Sequence, residues 1–451
     1  MSGRLSPVAL GELGTTDPSS LDIVKEEVAE SAAEPHKDGQ PEPDEIEIPD
    51  GGLQAWCTVA GAWLVSLSTF GYMNAYGVYQ AYYIETLLPS YSPSAISWIG
   101  SVQTLLMLGM GGFSGKLFDK GYFRALIIPG TIIYVGCIFA QSAVGVDKYY
   151  QVFLSQGLGQ GLATGLLYVP TISVIAHHFR RRRAMAMGMI VMGSSTGGVI
   201  FPIMLNNVLQ RSSFAWTVRS AGFLILGCLV AANLLMSTRL PPGKAKDQAN
   251  VLGFFKEPQY VLLLAGIFFV FWGISFPLFY IQLYTSLKVS NQTFAFYTIS
   301  ITNVGSMFGR TLPNLIADRT GPMVLLVPAC FITGSLIFAM FGCTYEGAII
   351  VFCLFFGFFS GAFIGLMAPA AANISRSVSE IGARIGIGMS LMGLAALSGT
   401  PVVGAIIGSG PDFAWWKGII FSGVSALAGG TFLAAAWYVQ PRGLHLRATG
   451  H

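Results

Sequence analysis

The sequence predicts an all-α membrane protein: twelve transmembrane helices in two six-helix repeats. Three observations carry that expectation. The 451 residues are 53% hydrophobic and only 10% charged, against roughly 25% charged in soluble domains. Apolar stretches of about 20 residues recur along the chain, the length at which a helix crosses hydrocarbon with its backbone groups satisfied internally. Landmarks of the first half also return in the second. Gly157, Gly161 and Gly165 recur as Gly357, Gly361 and Gly365, Asp119 as Asp318, Pro170 as Pro369, Pro202 as Pro401 and Arg183 as Arg384. Duplicated bundles of this kind place a substrate site between their halves near the bilayer midplane, opened to each side in turn as the halves rock.

Residues 1–50 carry 13 acids against three Lys/Arg and few aromatics, too little apolar surface to order a core; an acidic, disordered cytoplasmic tail is expected. Met1–Leu10 lacks the apolar core of a signal peptide, which leaves helix 1 as the targeting signal. The first bundle occupies 51–238, with spans at 53–80, 94–115, 125–145, 150–175, 184–208 and 217–237. A cytoplasmic linker, 239–258, leads to the second bundle, 259–438, with spans at 259–284, 293–316, 322–343, 347–373, 383–408 and 417–438; residues 439–451 form a second tail. With both termini cytoplasmic, the inner segments hold 19 of the 25 Lys/Arg and the outer ones five, as the positive-inside rule requires. The plasma membrane is the expected location, the vacuolar membrane the alternative.

Glycines spaced by four on helices 4, 5 and 10 allow close helix packing, and prolines 170, 202, 369 and 401 permit bends there. The six cysteines fall in or beside apolar spans without CxxC spacing, as packing residues do. No cofactor, metal cluster, phosphate loop or Ser/His/Asp set is indicated, so an enzyme is not expected. A nucleic-acid partner is not implied either. The expected partners are the lipid bilayer and a small molecule. Asn291-Gln292-Thr293 is an outward-facing glycosylation sequon close to the membrane.

The turn between helices 2 and 3, Gly115-Lys116-Leu117-Phe118-Asp119-Lys120-Gly121-Tyr122-Phe123-Arg124, and its counterpart Asn314-Leu315-Ile316-Ala317-Asp318-Arg319-Thr320-Gly321-Pro322 resemble the loop signature of the major facilitator superfamily. The first copy departs from it by placing its glycine at 121 instead of one residue later. The resemblance implies that fold and a gating role: the loop Asp caps a neighbouring helix and pairs with Arg, latching the inner gate while the carrier faces outward. Asp119, Lys120, Arg124, Asp318 and Arg319 are the gating candidates. A helix N-terminus does favour a carboxylate, by about 0.3–1 kcal/mol. The alternative is a solvated turn that only fixes topology.

Helix 1 opens with Pro49-Asp50-Gly51-Gly52-Leu53-Gln54-Ala55-Trp56. Helix 5 opens with Phe179-Arg180-Arg181-Arg182-Arg183-Ala184-Met185-Ala186-Met187-Gly188, followed by Gly193, Gly197 and Gly198. Both are similar to entry motifs of the monocarboxylate transporter family, especially its fungal branch. Physically, Asp50 complements the dipole of helix 1, the two glycines let the chain enter tightly, and Trp56 suits the interface. The run Arg180–Arg183 reads as a positive-inside stop, and His177 and His178 beside it are candidates for a pH-sensing role.

Arg310, two turns inside helix 8, is the leading substrate-binding candidate, since a charge inside the bilayer costs at least about 2.5 kcal/mol and marks function by default. Asn303 and Ser306 precede it on one polar stripe, and a guanidinium takes a carboxylate through two parallel hydrogen bonds. The alternative for Arg310 is snorkelling, or pairing with Asp318. By the resemblance, Asn74 stands where animal members of the family have a helix 1 lysine, and Ser306 where they have an Asp. Trp272 and Tyr280 on helix 7 are expected to shape an apolar wall. No carboxylate lies deep in a span, which puts proton coupling of the animal type in question.

The expected function is alternating-access transport of a small organic carboxylate or acid-bearing metabolite. Efflux of a fungal secondary metabolite is the alternative, and a non-transporting nutrient sensor is the rival from another class.

Overall fold

A computed structural model describes residues 50–239, 251–375, 377–408 and 414–439. The expectations for the acidic tail, most of the linker and the C-terminal tail fall outside these residues. Among the described residues every regular element is helical. Eleven helices are long and apolar enough to span a membrane: α1 Leu53–Leu87, α2 Ala95–Asp119, α3 Phe123–Gln141, α4 Tyr149–His177, α5 Arg183–Arg211, α6 Phe214–Leu235, α7 Pro258–Lys288, α9 Pro322–Gly342, α10 Glu346–Ile374, α11 Ile381–Ile407 and α12 Trp415–Val439. The twelfth, α8, runs Gln292–Thr320. It is as long as its neighbours but fails the apolar criterion, because Asn303, Ser306, Arg310, Asn314 and Asp318 interrupt it. A spanning helix of that composition needs protein on its polar side.

The repeated glycines show why the two halves fold alike. In the first half, the positions a Cβ would take on Gly157, Gly161 and Gly165 of α4 face Ile99, Gln103, Leu106 and Met110 of α2. In the second half, Gly357, Gly361 and Gly365 of α10 face Thr302, Ser306, Arg310 and Asn314 of α8. Small residues in membrane helices let backbones approach until dispersion contacts and interhelical hydrogen bonds hold the pair. At Gly357 a Cβ would lie 2.2 Å from the Thr302 carbonyl oxygen, so no larger residue keeps this distance.

The halves differ in regularity. α1 is π-helical over Leu67–Gly71 and Tyr83–Leu87 and is interrupted by a turn at Asn74 and Ala75. α4 is π-helical over Phe153–Gln160. The wider turn brings Gln156 and Gln160 onto a buried polar network. Tyr83 Oη donates to Gln156 Oε1 (2.6 Å) and Gln141 Nε2 to Tyr83 Oη (2.7 Å), while Gln160 Nε2 donates to Gln141 Oε1 (2.8 Å). Buried amides in hydrocarbon must find such partners, and π-bulges recur where function demands irregular geometry.

The entry motifs are structural, but not as the dipole argument for Asp50 had it. Gly51 and Gly52 have φ of 145° and 95°, a region open to glycine alone at little cost. Asp50 Oδ1 accepts the backbone N–H groups of Arg180 and Arg181. It therefore caps the approach to α5 and leaves the start of α1. Trp56 packs edge-on against Phe179 at 5.3 Å, which ties the same two segments together. In the second half the corresponding tie is ionic. Arg384, fully buried, grips Glu257 through Nη1–Oε2 (2.8 Å) and Nη2–Oε1 (3.1 Å), reaches Glu380 at 3.1 Å, and lies over the rings of Phe254 and Tyr260.

Candidate functional site

The two halves meet along two seams, α2 with α11 and α5 with α8. At one end of the bundle, hereafter the loop end, each seam finishes in the same device. Asp119 closes α2, and its carboxylate accepts the backbone N–H groups of Gly382 (3.0 Å) and Ala383 (2.7 Å) at the start of α11. Asp318, near the end of α8, accepts those of Ala184 (2.8 Å) and Met185 (3.0 Å) at the start of α5. Each half thus satisfies amides that the other half's helix leaves unpaired, where the helix dipole also favours negative charge.

The remaining gating candidates are placed differently. Neither aspartate forms an ion pair among the described residues; backbone amides take the place expected of Arg. Arg124 donates to the carbonyls of Asn233 and Met236 and so closes the end of α6 within its own half. Arg319 is exposed and Lys120 half-buried. His177 lies against Phe118, ring centroids 5.2 Å apart, and His178 Nε2 meets the Ser237 carbonyl at 2.8 Å. Burial holds the His178 imidazole below its ordinary pKa.

Above the caps the seams diverge in character. On the α2–α11 seam, glycine meets glycine: a Cβ on Gly386 would lie 2.0 Å from the Gly111 carbonyl oxygen, and one on Gly115 2.1 Å from that of Gly382. Ser390 Oγ donates to Gly109 O (2.8 Å) and accepts from Gly112 N (3.1 Å). On the α5–α8 seam, Arg310 and Asn314 occupy the positions related to Gly111 and Gly115 by the offset that relates Asp318 to Asp119. A long cation stands at one of two corresponding crossings where the other has a glycine.

Arg310 is 4% exposed, and its guanidinium crosses between the halves. Nε donates to Ser306 Oγ (3.0 Å) on its own helix, and Nη1 donates to Val191 O (3.0 Å) and to Ser194 Oγ on α5. It neither snorkels nor pairs with Asp318. Ser194 is the hub of this junction. Its Oγ also donates to Val191 O (2.8 Å), and its carbonyl accepts Asn74 Nδ2 (3.4 Å) from the break in α1. Gly198, one turn further along α5, is where Asn303 rests: a Cβ there would be 2.7 Å from Asn303 Oδ1. The Tyr168 phenol of α4 stands within electrostatic reach of Arg310, and its ring packs on Phe70.

The structure therefore gathers Asn74, Asn303, Ser306 and Arg310 at one junction of α1, α4, α5 and α8. Sequence reasoning missed Ser194 and Tyr168. The signal for Ser194 was present in the Gly193–Gly198 stretch of α5, where a hydroxyl stands among close-packing glycines; Tyr168 had no comparable mark. The helix 7 aromatics belong elsewhere. Trp272 packs with Phe268, Phe421 and the backbone at Gly399, and Tyr280 with Phe276 and Gly404. They form a cluster of α7, α11 and α12, apart from Arg310. Asn291 is the N-cap of α8, its Oδ1 accepting Phe294 N at 3.0 Å, so the sequon side chain already has a structural partner.

Two repeated six-helix bundles, joined by reciprocal caps around a buried polar junction, define a transporter, a multi-pass membrane protein and not an enzyme. The chain belongs to the Major Facilitator Superfamily, whose profile matches residues 58–375. It is 41% identical over 408 residues to the Aspyridones efflux protein apdF of Emericella nidulans, covering 90% of this chain and 82% of that protein. It is 36% identical to the Fujikurins efflux protein of Gibberella fujikuroi, covering 90% and 85% respectively. Among solved structures, the human organic anion transporter MFSD10 superposes with a TM-score of 0.62 over 85% of this chain and 98% of that one, at 14% identity, a likeness of fold. The superfamily resemblance read from the loop motifs stands. The monocarboxylate branch is not what these relatives are named for.

Proposed function

We propose that this chain exports a fungal secondary metabolite by alternating access, with the loop end in the cytoplasm and Arg310 at the cargo site. The observation that carries this reading is similarity across nine-tenths of the chain to two proteins named for the efflux of such products. It favours the efflux reading over uptake of a small carboxylate. In this orientation the sealed loop end corresponds to an outward-facing state. Asp119 and Asp318 act as the latch that must release before cargo is loaded from the cytoplasm, as charge contacts that are made and broken do in rocking transitions.

Arg310 supports an acidic cargo, because a cation held at this depth is retained only where it has work with an anion or a partner. Ser306 stands one turn before it and hydrogen-bonds it, so a proton relay through a carboxylate at that position is replaced by a neutral hydroxyl. The cargo then brings the compensating charge itself.

The test compares a deletion strain with an overexpressor by untargeted mass spectrometry of cells and medium. Export predicts a metabolite retained inside the deletion strain and enriched in the overexpressor's medium, with Arg310→Ala behaving as the deletion despite normal surface expression. An acid in the medium that persists only around the deletion strain would reverse the direction and make the protein an uptake permease.

A further inference from the structure

α1 and α7 occupy matching places in the two halves but differ in length between matched landmarks. Gly61 of α1 lies against α6, where a Cβ would be 3.0 Å from Ala232 O, and Gly266 of α7 lies against α12 in the same way, 3.1 Å from Gly429 O. Further along, Tyr83 Oη accepts Gln141 Nε2 (2.7 Å) at the close of α3, and Tyr284 Oη donates to Met340 O (3.0 Å) near the close of α9. Gln141 and Met340 are 199 positions apart, as Asp119 and Asp318 are. Yet Tyr83 follows Gly61 by 22 residues, while Tyr284 follows Gly266 by 18. α1 therefore carries about one turn more than α7.

α7 is one uninterrupted α-helix. The surplus in α1 is taken up at the π turn Leu67–Gly71 and at the break of Asn74 and Ala75. A π turn interrupts the regular ladder, and in hydrocarbon the affected carbonyls need other donors. Thr69 Oγ1 donates to Val65 O (2.7 Å), and Tyr134 Oη, from α3, donates to Ser68 O (2.8 Å). Tyr134 is fully buried. The same 199-residue offset leads from Tyr134 to Thr333, whose hydroxyl turns back on its own helix to Ala329 O (2.7 Å). The half that lacks the tyrosine also lacks the π turn.

Beyond the π turn α1 is fixed again. Tyr72 Oη and Tyr79 Oη meet across the break at 2.6 Å, and Tyr83 is held by Gln141 and Gln156. Asn74 sits between these anchors and donates to the carbonyl of Ser194, whose hydroxyl receives Arg310. A register shift of one residue here turns Asn74 by about 100° about the helix axis, away from Ser194.

We propose that Tyr134 is a positioning residue for the cargo site: from a helix that supplies none of the junction's residues, it holds the π turn that aims Asn74 at Ser194 and Arg310. This rests on the reading that places cargo at Arg310.

Tyr134→Phe removes only the hydroxyl. Met73, beside Asn74, is a native reporter, since its sulfur accepts Thr104 Oγ1 from α2 at 3.6 Å. The purified full-length chain is labelled with methyl-13C methionine in nanodiscs, and the Met73 resonance is assigned with Met73→Leu. Tyr134→Phe is expected to move that resonance, while those of Met323, Met367 and Met389 in the second half stay. A Met73 resonance that does not move overturns the proposal.

Function is read as export of the metabolite found in the overexpressor's medium, at matched surface expression. Tyr134→Phe is expected to lower export about fivefold, the worth of one hydrogen bond, and Asn74→Ala by a similar factor. If Tyr134 acts through Asn74, the double variant is no worse than either single one. Losses that multiply, or parent-level export in either single variant, overturn the positioning role; the Asn74→Ala result decides even where Tyr134→Phe fails to fold. If the chain imports instead, the direction proposed above fails, the same variants are scored on uptake, and the Met73 resonance, which needs no cargo, is read unchanged.

Discussion

Replacing Gly386 by alanine tests whether the glycine-on-glycine seam is what lets the loop end close. A Cβ at Gly386 would sit 2.0 Å from the Gly111 carbonyl oxygen, while ordinary contact begins at 3.4 Å, so α2 and α11 must part by about 1.4 Å. Asp119 is anchored on the far side of that gap. Its bonds to Gly382 and Ala383, now 3.0 and 2.7 Å, would stretch beyond hydrogen-bond range. Two bonds to a charged acceptor are worth about 1.5–3 kcal/mol each. Water entering the opened seam returns part of this. A residual of only 1.5 kcal/mol still shifts the equilibrium between closed and open loop ends by about tenfold.

Gly388, two residues on, is the control: its nearest neighbours, Ile267 and Met367, are 3.6 Å from the Cβ position, so Gly388→Ala is expected to be silent. Spin labels at the exposed residues 116 and 319, in a chain whose native cysteines have been replaced, report the separation of the two halves at the loop end. Gly386→Ala should move the distance distribution outward and Gly388→Ala should leave it alone. A Gly386→Ala distribution superimposable on the parent would refute the steric argument.

Asp318→Asn, which keeps one acceptor oxygen and loses the charge facing the α5 N-terminus, should open the loop end by about 2 kcal/mol, read with the same labels; an unchanged distribution would remove Asp318 from the latch. Arg384→Gln strands two carboxylates. Because Glu257 and Glu380 keep 21% and 18% of their side-chain exposure, the loss is discounted from the about 3–5 kcal/mol of a fully buried pair to about 2 kcal/mol. It should appear as a lowered Tm in detergent, and a Tm equal to the parent's would show that the pair is dispensable. For His178 the folded chain holds the imidazole below its unfolded pKa of about 6.5, so the unfolded state binds more protons and stability falls as pH drops below about 6.5. His178→Gln, which retains a donor for the Ser237 carbonyl, should flatten that fall; an identical pH profile in the variant would assign it to other groups.

Most of the architecture was legible in the sequence because hydrocarbon leaves few alternatives: apolar length marked the spans, and the glycine repeats marked both the duplication and a pair of close helix crossings. α8 was the exception that composition under-reads and duplication recovers, since Asp318 could be placed by its counterpart Asp119 in the first half. What escaped the sequence were features that depend on the rotation of side chains about a helix. The π-helical turns of α1 shift its register beyond Leu67, so a regular wheel cannot place Asn74 against Ser194. Arg310 stood out in the sequence as a charge inside a span, but sequence could not show that its donors are already divided between Ser306 and α5. Arg124 and Trp272 looked functional by type and turned out to serve a helix end and an aromatic cluster.

The reciprocity of the two aspartate caps has a consequence of its own. Each cap belongs half to one bundle and half to the other, in the manner of an isologous contact between two copies of one subunit. A single bundle folded alone would present both an unsatisfied carboxylate and an uncapped helix start at the same rim. Its complement is a second bundle turned through the pseudo-twofold axis. In the latch reading proposed above, the loop end would work as a two-pole switch: Asp119 and Asp318 each hold a helix start of the other half, so release of one would loosen the geometry that holds the other, and the rim would pass between shut and open as a unit instead of unzipping from one side.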